Sequence, residues 1–294
     1  MKSYNDIAGD GGSNIVEQVI EHVEKIKSRI SSIKHIIAVM SGKGGVGKSS
    51  VTVNTASALA MQDFTVGVLD ADINGPSIAK MTGVHSQELR KGENGILPAE
   101  GFLGLKIMSM DLFLNDDRAP VLWDAPSQKD AHTWRGMMEA TAVREFLSDT
   151  EWGTLDFLLI DLPPGADKLP NLMDIIPDLS GTIIVTIPTG ISQFVVGKSI
   201  QVATNYLKTP VIGLIENMSG QICPHCGKKT SLYTSGKTEE QAGDHGVPFL
   251  GTIPFDSQIA HSADLGESYM NSHADSITAK SFHGIAEKIK NFVN

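Results

Sequence analysis

The chain is poor in cysteine, with only Cys223 and Cys226 among 294 residues. Two thiols cannot build a disulfide framework in a chain of this length. Their Cys-x-x-Cys spacing points instead to metal or redox chemistry in a reducing compartment. Positive charge is also in deficit: 24 Lys and Arg stand against 34 Asp and Glu, a formal net charge of −10. An acidic surface repels phosphate backbones and anionic lipid, so neither nucleic acid nor a membrane is expected as a partner. The sequence has no run of about 18 apolar residues, so no membrane span is expected. It also lacks a charged-then-apolar leader. The expected location is the cytoplasm.

What is present is ordinary for a folded protein. A hydrophobic share of 41% with 20% charged residues argues against disorder and a fibrous architecture. The length suffices for a well-buried core. Residues 1–13 are polar and Gly-rich and read as a tail. Ile15, Val16, Val19, Ile20, Val23, Ile26, Ile30 and Ile33 then recur at helical spacing, with Asn14 and Glu17 set as a capping box. The expectation is an amphipathic helix lying on the body of the protein, with tail and helix together covering 1–33.

From His35 the pattern changes to short apolar runs. Segments 36–40, 65–69, 157–160, 182–187, 211–215 and 249–253 read as strands, and 95–110 as one or two edge strands. Segments 134–148, 193–207 and 276–293 read as helices. Alternating strands and helices imply an α/β fold: a doubly wound, mostly parallel sheet with helices on both faces, in three layers. No Pro/Gly/Ser linker interrupts it, so 34–294 reads as one domain.

Gly42-Lys43-Gly44-Gly45-Val46-Gly47-Lys48-Ser49 fits the phosphate-loop pattern G-x-x-x-x-G-K-S/T, between a strand and a helix. The glycines let the backbone curl so that its N–H groups meet phosphate oxygens, and the following helix adds the positive end of its dipole. Lys48 is expected on the β- and γ-phosphates of ATP, the Ser49 hydroxyl on Mg²⁺, and Ser50 among the nucleotide contacts. Ligands of parallel sheets bind beyond the carboxyl ends of the strands. Asp70 and Asp72 close one strand there and Asp161 another.

Cys223-Pro224-His225-Cys226 supplies two thiolates on a loop, half of a tetrahedral zinc site or half the ligands of an iron–sulfur cluster. The complement must come from a second subunit or from other ligands, such as His225 or a small thiol. A two-fold homodimer supplies four sulfurs, and either a 4Fe-4S cluster or Zn²⁺ fits that count.

Lys43, near the start of the loop, resembles the first lysine of the deviant Walker A motif. More broadly, the chain resembles the Mrp family of iron–sulfur cluster carrier ATPases, related to ParA and MinD. The resemblance rests on residues 43–49, Asp70 and Asp72 with Gly75-Pro76-Ser77, Trp134-Arg135-Gly136, Pro163-Pro164-Gly165, Glu216-Asn217-Met218-Ser219 and the Cys-x-x-Cys loop within 218–235.

The resemblance implies that Lys43 reaches the nucleotide of a partner subunit. It also implies that Asp72 positions the attacking water, Asp161 holds Mg²⁺ through a water, and the Gly165 amide senses the γ-phosphate. Asn217 would read the adenine, with Pro254 flanking it. It implies slow, Mg-dependent ATP hydrolysis, a 4Fe-4S cluster held between two subunits, and transfer of that cluster to apo-proteins. The alternatives are a ParA/MinD-like positioning ATPase acting on membrane or DNA, and a zinc-bridged ATP-binding dimer. Three segments depart from the family pattern: Ala166-Asp167-Lys168 after Pro-Pro-Gly, residues 189–194, and Asn74. A different switch II response is expected from the first. No cysteine-rich extension precedes the loop, so no N-terminal cluster is expected.

Overall fold

In the computed structural model, residues 15–114, 131–222, 226, 228–233 and 237–294 are described, with 15–22, 131–137 and 229 as backbone only. The expected tail, the Asn14–Glu17 cap, Cys223 and His225 lie outside the described residues, as do the side chains of Trp134 and Arg135.

The elements run α1 (Ile15–Ile30), β1 (Ile33–Ser41), α2 (Lys48–Ala60), β2 (Val66–Asp70), α3 (Ile78–Met81), β3 (Arg90–Lys91), β4 (Ile96–Leu97), β5 (Ala99–Glu100) and β6 (Lys106–Met108). Then come α4 (Ala131–Asp149), β7 (Leu155–Asp161), α5 (Lys168–Met173), β8 (Gly181–Thr186), α6 (Gly190–Gln201), β9 (Val211–Ile222) and β10 (Lys229–Thr230). The chain closes with α7 (Thr238–Asp244), β11 (Phe249–Phe255), α8 (Ser257–Leu265), α9 (Tyr269–Ser272) and α10 (Ile277–Val293).

Strand β1 explains the architecture. Every residue of it except Lys34 is buried, as expected of a central strand covered on both faces. It pairs in parallel with β7 on one side and β8 on the other. The parallel order is β11-β9-β8-β1-β7-β2-β6, with β5 antiparallel on β6 and β10 antiparallel on β9. The short β3–β4 ribbon stands apart.

Successive residues face opposite sides. Ile37 and Val39 of β1, with Phe157 and Leu159 of β7, join the core under α2 and α10. Ile36, Ala38 and Met40, with Leu158 and Ile160, join the core that holds Ile26 of α1, Phe146 and Leu147 of α4, and Ile200 of α6. The stripe of α10 is used in this packing: Phe282, Ile285 and Ile289 are buried, each contributing about 1.5–3 kcal/mol.

Several boundaries differ from the sequence reading. Ile33 opens β1, pairing with Leu155, and does not extend the first helix. Helix α1 stops at Ile30 because the chain turns at Ser31, whose hydroxyl donates to Ser28 O at 2.7 Å. The expected 193–207 helix begins at Gly190, where Thr189 Oγ1 accepts from Ser192 N at 3.2 Å, and widens to a π-turn over Val202–Tyr206. Segment 95–110 holds three short strands, of which β6 is parallel to β2. Strand β9 runs on to Ile222 because β11 and β10 continue to pair with it there. Pro254 lies inside β11, not after it, at a register shift between Ile253 and Phe255 that spares the proline a ladder hydrogen bond.

His35 of β1 is buried against Phe157, ring centroids 5.2 Å apart, and its Nε2 has no hydrogen-bond partner. Burial, then the neighbouring Lys34 charge, lowers its pKa. The unfolded chain takes up a proton below about pH 6.5 that the folded chain resists. Stability contributed by neutral His35 is therefore complete above that pH and is lost as pH falls through the lowered folded value. Urea unfolding at pH 7.5 and 5.5 should show a larger acid loss in the wild type than in His35→Leu; equal losses would contradict the assignment.

Candidate functional site

The phosphate loop leaves β1 at Ser41 and enters α2 at Lys48. Gly47 caps α2 with φ 79°, in the left-handed region. A Cβ there would also fall 2.4 Å from Asn217 Nδ2, so both backbone and space require glycine. No acidic residue stands in the first turn of α2, which leaves the positive end of the helix for an anion.

Three side chains of that turn converge on one carboxylate. Asp161, at the end of β7, is fully buried. Its Oδ2 pairs with Lys48 Nζ at 2.6 Å and accepts from Ser49 Oγ at 2.6 Å, while its Oδ1 accepts from Thr52 Oγ1 at 2.7 Å. The adjacency follows from the sheet, since β7 is the direct neighbour of β1. Thr52 was not singled out in the sequence; its signal was the spacing of three and four residues from Ser49 and Lys48 on one helical face.

Asp70 lies beside Asp161, the two in register on neighbouring strands. Its carboxyl is pushed up to about 7, first by burial and then by the Asp161 charge, against the lowering effect of the Ile78 and Ser77 amides. Asp72 lies in the loop after β2 and is raised by burial, with Lys48 opposing and Asp161 adding.

Asn217 is buried on β9, and its Nδ2 donates to Val46 O at 2.9 Å, so this side chain sits against the phosphate loop. Ile253 pairs with Asn217, which puts Pro254 one residue beyond that pair. Ser50 lines a cleft with Asn54, Ile259 and Tyr269, between α2 and α8. The Gly165 amide donates to Ser41 O at 2.9 Å. Lys43 is half-buried, its carbonyl accepting from Ser41 Oγ at 3.0 Å, and its ammonium makes no ion pair among the described residues.

Glu139 of α4 gave no sequence signal, because it belongs to no motif. Asn74 Nδ2 donates to its Oε1, and Lys168 Nζ lies 3.6 Å from its Oε2. Two of the segments that depart from the family pattern thus meet on one carboxylate, beside a cleft lined by Ala71, Leu162 and Pro163.

Cys226 is exposed and free in the turn between β9 and β10. Among the described residues no group of three or more His, Cys, Asp or Glu is placed to hold a metal ion. Near the loop, Val195 of α6 packs on Gly42, while Ile191 and Phe194 of the same helix are 73% and 67% exposed.

The donor set suits a polyanion with a hard cation. Lys48 and the helix end are cationic, and a hydroxyl and a carboxylate oxygen 2.6 Å apart match the all-oxygen preference of Mg²⁺. The family model described as NUBPL iron-transfer P-loop NTPase, of the ParA type, matches residues 32–290. An iron–sulfur cluster carrier protein of Methanocaldococcus jannaschii is 47% identical over 243 residues, 82% of this chain and 80% of the relative. One from Saccharolobus solfataricus is 40% identical over 276 residues, 93% and 89% of the two chains. A nucleotide-binding protein of Archaeoglobus fulgidus, solved in complex with ADP, superposes with a TM-score of 0.71 at 38% identity, covering 84% and 92% of the two chains. The cell division ATPase MinD of Pyrococcus furiosus, at 19% identity and a TM-score of 0.57 over 88% and 99%, shares the fold.

Replacing Thr52 by Val removes one donor from a buried carboxylate while keeping the shape. The nucleotide-free protein should lose about 1–3 kcal/mol in urea unfolding; an unchanged midpoint would show that Asp161 does not need this hydroxyl.

Proposed function

The chain belongs to the iron–sulfur cluster carrier family of P-loop NTPases, and from that premise we propose that it binds and slowly hydrolyses Mg-ATP and carries a 4Fe-4S cluster, held between two copies, to apo-proteins. One observation carries this reading. Strand β9 runs from Asn217, on the phosphate loop, through a bulge at Met218 (φ 55°) to Ile222, next to the thiol-bearing turn. At about 3.3 Å per residue, that is at most roughly 16 Å of paired strand between nucleotide and cargo. A change at one end has a short mechanical path to the other.

In this reading Lys48 exchanges Asp161 for the β- and γ-phosphates, since one ammonium cannot serve both at full strength. Ser49 and Asp161 then hold Mg²⁺, which when bound neutralises charge on the phosphoryl oxygens. Asp72 orients the attacking water. Lys43 carries an uncommitted charge that can reach a second copy. Asn217 spends one N–H on Val46 and keeps the other, with Oδ1, for the adenine, flanked by Pro254. Cys223 and Cys226 from each copy ligate the cluster.

The exposed Ile191 and Phe194, beside the loop, are the kind of surface a second copy would cover. One ATPase domain spans 34–294, and the protein works in the cytoplasm without membrane or nucleic acid. In support, no helix among the described residues is long and apolar enough to cross a membrane, and the apolar stripe of α10 is largely packed against the sheet.

Anaerobic reconstitution with iron and sulfide tests the proposal. The expected product is a brown dimer with about four irons, its colour lost in Cys226→Ala; a colourless zinc dimer would overturn it. Lys48→Ala should abolish ATP binding in equilibrium dialysis, and retained affinity would refute the nucleotide site. Phe194→Asp should shift the reconstituted protein to monomer in sedimentation, and an unshifted dimer would place the interface elsewhere.

A further inference from the structure

The reading above uses Asp72 and Asp161 and leaves Asp70 without a task, yet Asp70 is among the most committed polar groups in the molecule. Its carboxylate is 1% exposed. Oδ1 accepts from Asp72 N at 3.2 Å; Oδ2 accepts from Ser77 N at 2.9 Å, Ile78 N at 3.1 Å and Ser109 Oγ at 3.2 Å. A buried carboxylate is costly unless its oxygens are satisfied, and here four donors satisfy them.

The placement of those donors matters more than their number. Asp72 opens the loop between β2 and α3, and Ser77 and Ile78 close it. Inside the loop, Gly75 N donates to Asp72 O at 3.1 Å. Ser77 occupies the cap position of α3 but makes no side-chain cap hydrogen bond. The Ser77 and Ile78 amides, which open the helix, are taken by a carboxylate seven and eight residues upstream. Ser109, fully buried beyond β6, ties the same oxygen to the neighbouring strand. One side chain, rigid at the end of a buried strand, therefore clasps both ends of the loop that carries Asp72.

We infer that Asp70 is a positioning residue that holds the Asp72 loop at a set distance from the phosphate loop, and that turnover depends on it through Asp72. This rests on the reading of Asp72 as the residue that orients the attacking water. Asparagine replaces the carboxylate only in part: its single acceptor oxygen can serve either the Asp72 amide or the Ser77, Ile78 and Ser109 donors, and its Nδ2 turns a donor toward whichever side is left.

The test compares wild type, Asp70→Asn, Asp72→Asn and the double variant in the full chain. In Asp70→Asn, amide hydrogen exchange should quicken about tenfold or more at 72 or at 77 and 78, whichever side faces Nδ2, while β1 and β7 stay protected. The kcat for ATP should fall about tenfold with KM changed less than about twofold. In the Asp72→Asn background, adding Asp70→Asn should alter kcat by less than about twofold, because residues acting as a unit are not additive.

Unchanged exchange in Asp70→Asn, or a full additional loss in the double variant, overturns the inference. A wild type without ATP turnover refutes the hydrolase reading, while the exchange data still judge the clasp. If Asp70→Asn does not fold, Ser109→Ala decides, since it keeps the carboxylate and removes one donor. Exchange at 77 and 78 should then rise about two- to threefold, and no rise counts against the clasp.

Discussion

The site is organised around one buried negative charge. Asp161 ends the strand next to β1, and the first turn of α2 folds onto it through Lys48, Ser49 and Thr52. Each partner alone would be expensive to bury. Lys48 is 7% exposed and Asp161 not at all, and an isolated ion in that setting would be strongly disfavoured. Together they seat the phosphate loop on the sheet. On the proposed reading, a triphosphate would offer Lys48 a second set of oxygens, and a hard cation would offer Asp161 and Ser49 a replacement for the ammonium.

Around that centre the strand ends set the other groups at fixed heights. Asp70 and Asp161 are in register, as are Asn217 and Ile253. Loops leaving the carboxyl edge therefore inherit their positions from the sheet. The Asp72 loop is held by Asp70, the segment after β7 by the Gly165 amide on Ser41, and β9 by the Asn217 amide on Val46. Glu139 links the Asn74 and Lys168 segments from above. These ties join loops at the carboxyl edge to strands, to a helix and to the phosphate loop.

Much of this was legible in the sequence. The phosphate-loop glycines, Lys48 and Ser49 are adjacent in the chain, and their chemistry depends on local backbone curl, which adjacency encodes. The apolar runs of β1, β7 and β8 were legible because burial on both faces leaves only apolar residues. Thr52 and Glu139 were not, since neither belongs to a motif. Short helices such as α5 and α9 were missed because a turn or two carries too few residues for periodicity to show. The continuation of β9 to Ile222 was missed because it comes from pairing with β11 and β10, partners distant in the chain.

The sequence by itself determined the layered α/β class and the glycine-rich curl ahead of α2, both of which follow from local pattern. Tertiary structure alone decided that Asp161 meets Lys48, that Asp70 turns from the phosphate edge toward the amides of Ser77 and Ile78, and that the strand bearing Asn217 leads on to the Cys226 turn. Strand order and register are set by packing between segments distant in the chain, more than a hundred residues apart for the pairs of β1 with β7 and β8, and no local pattern carries that information.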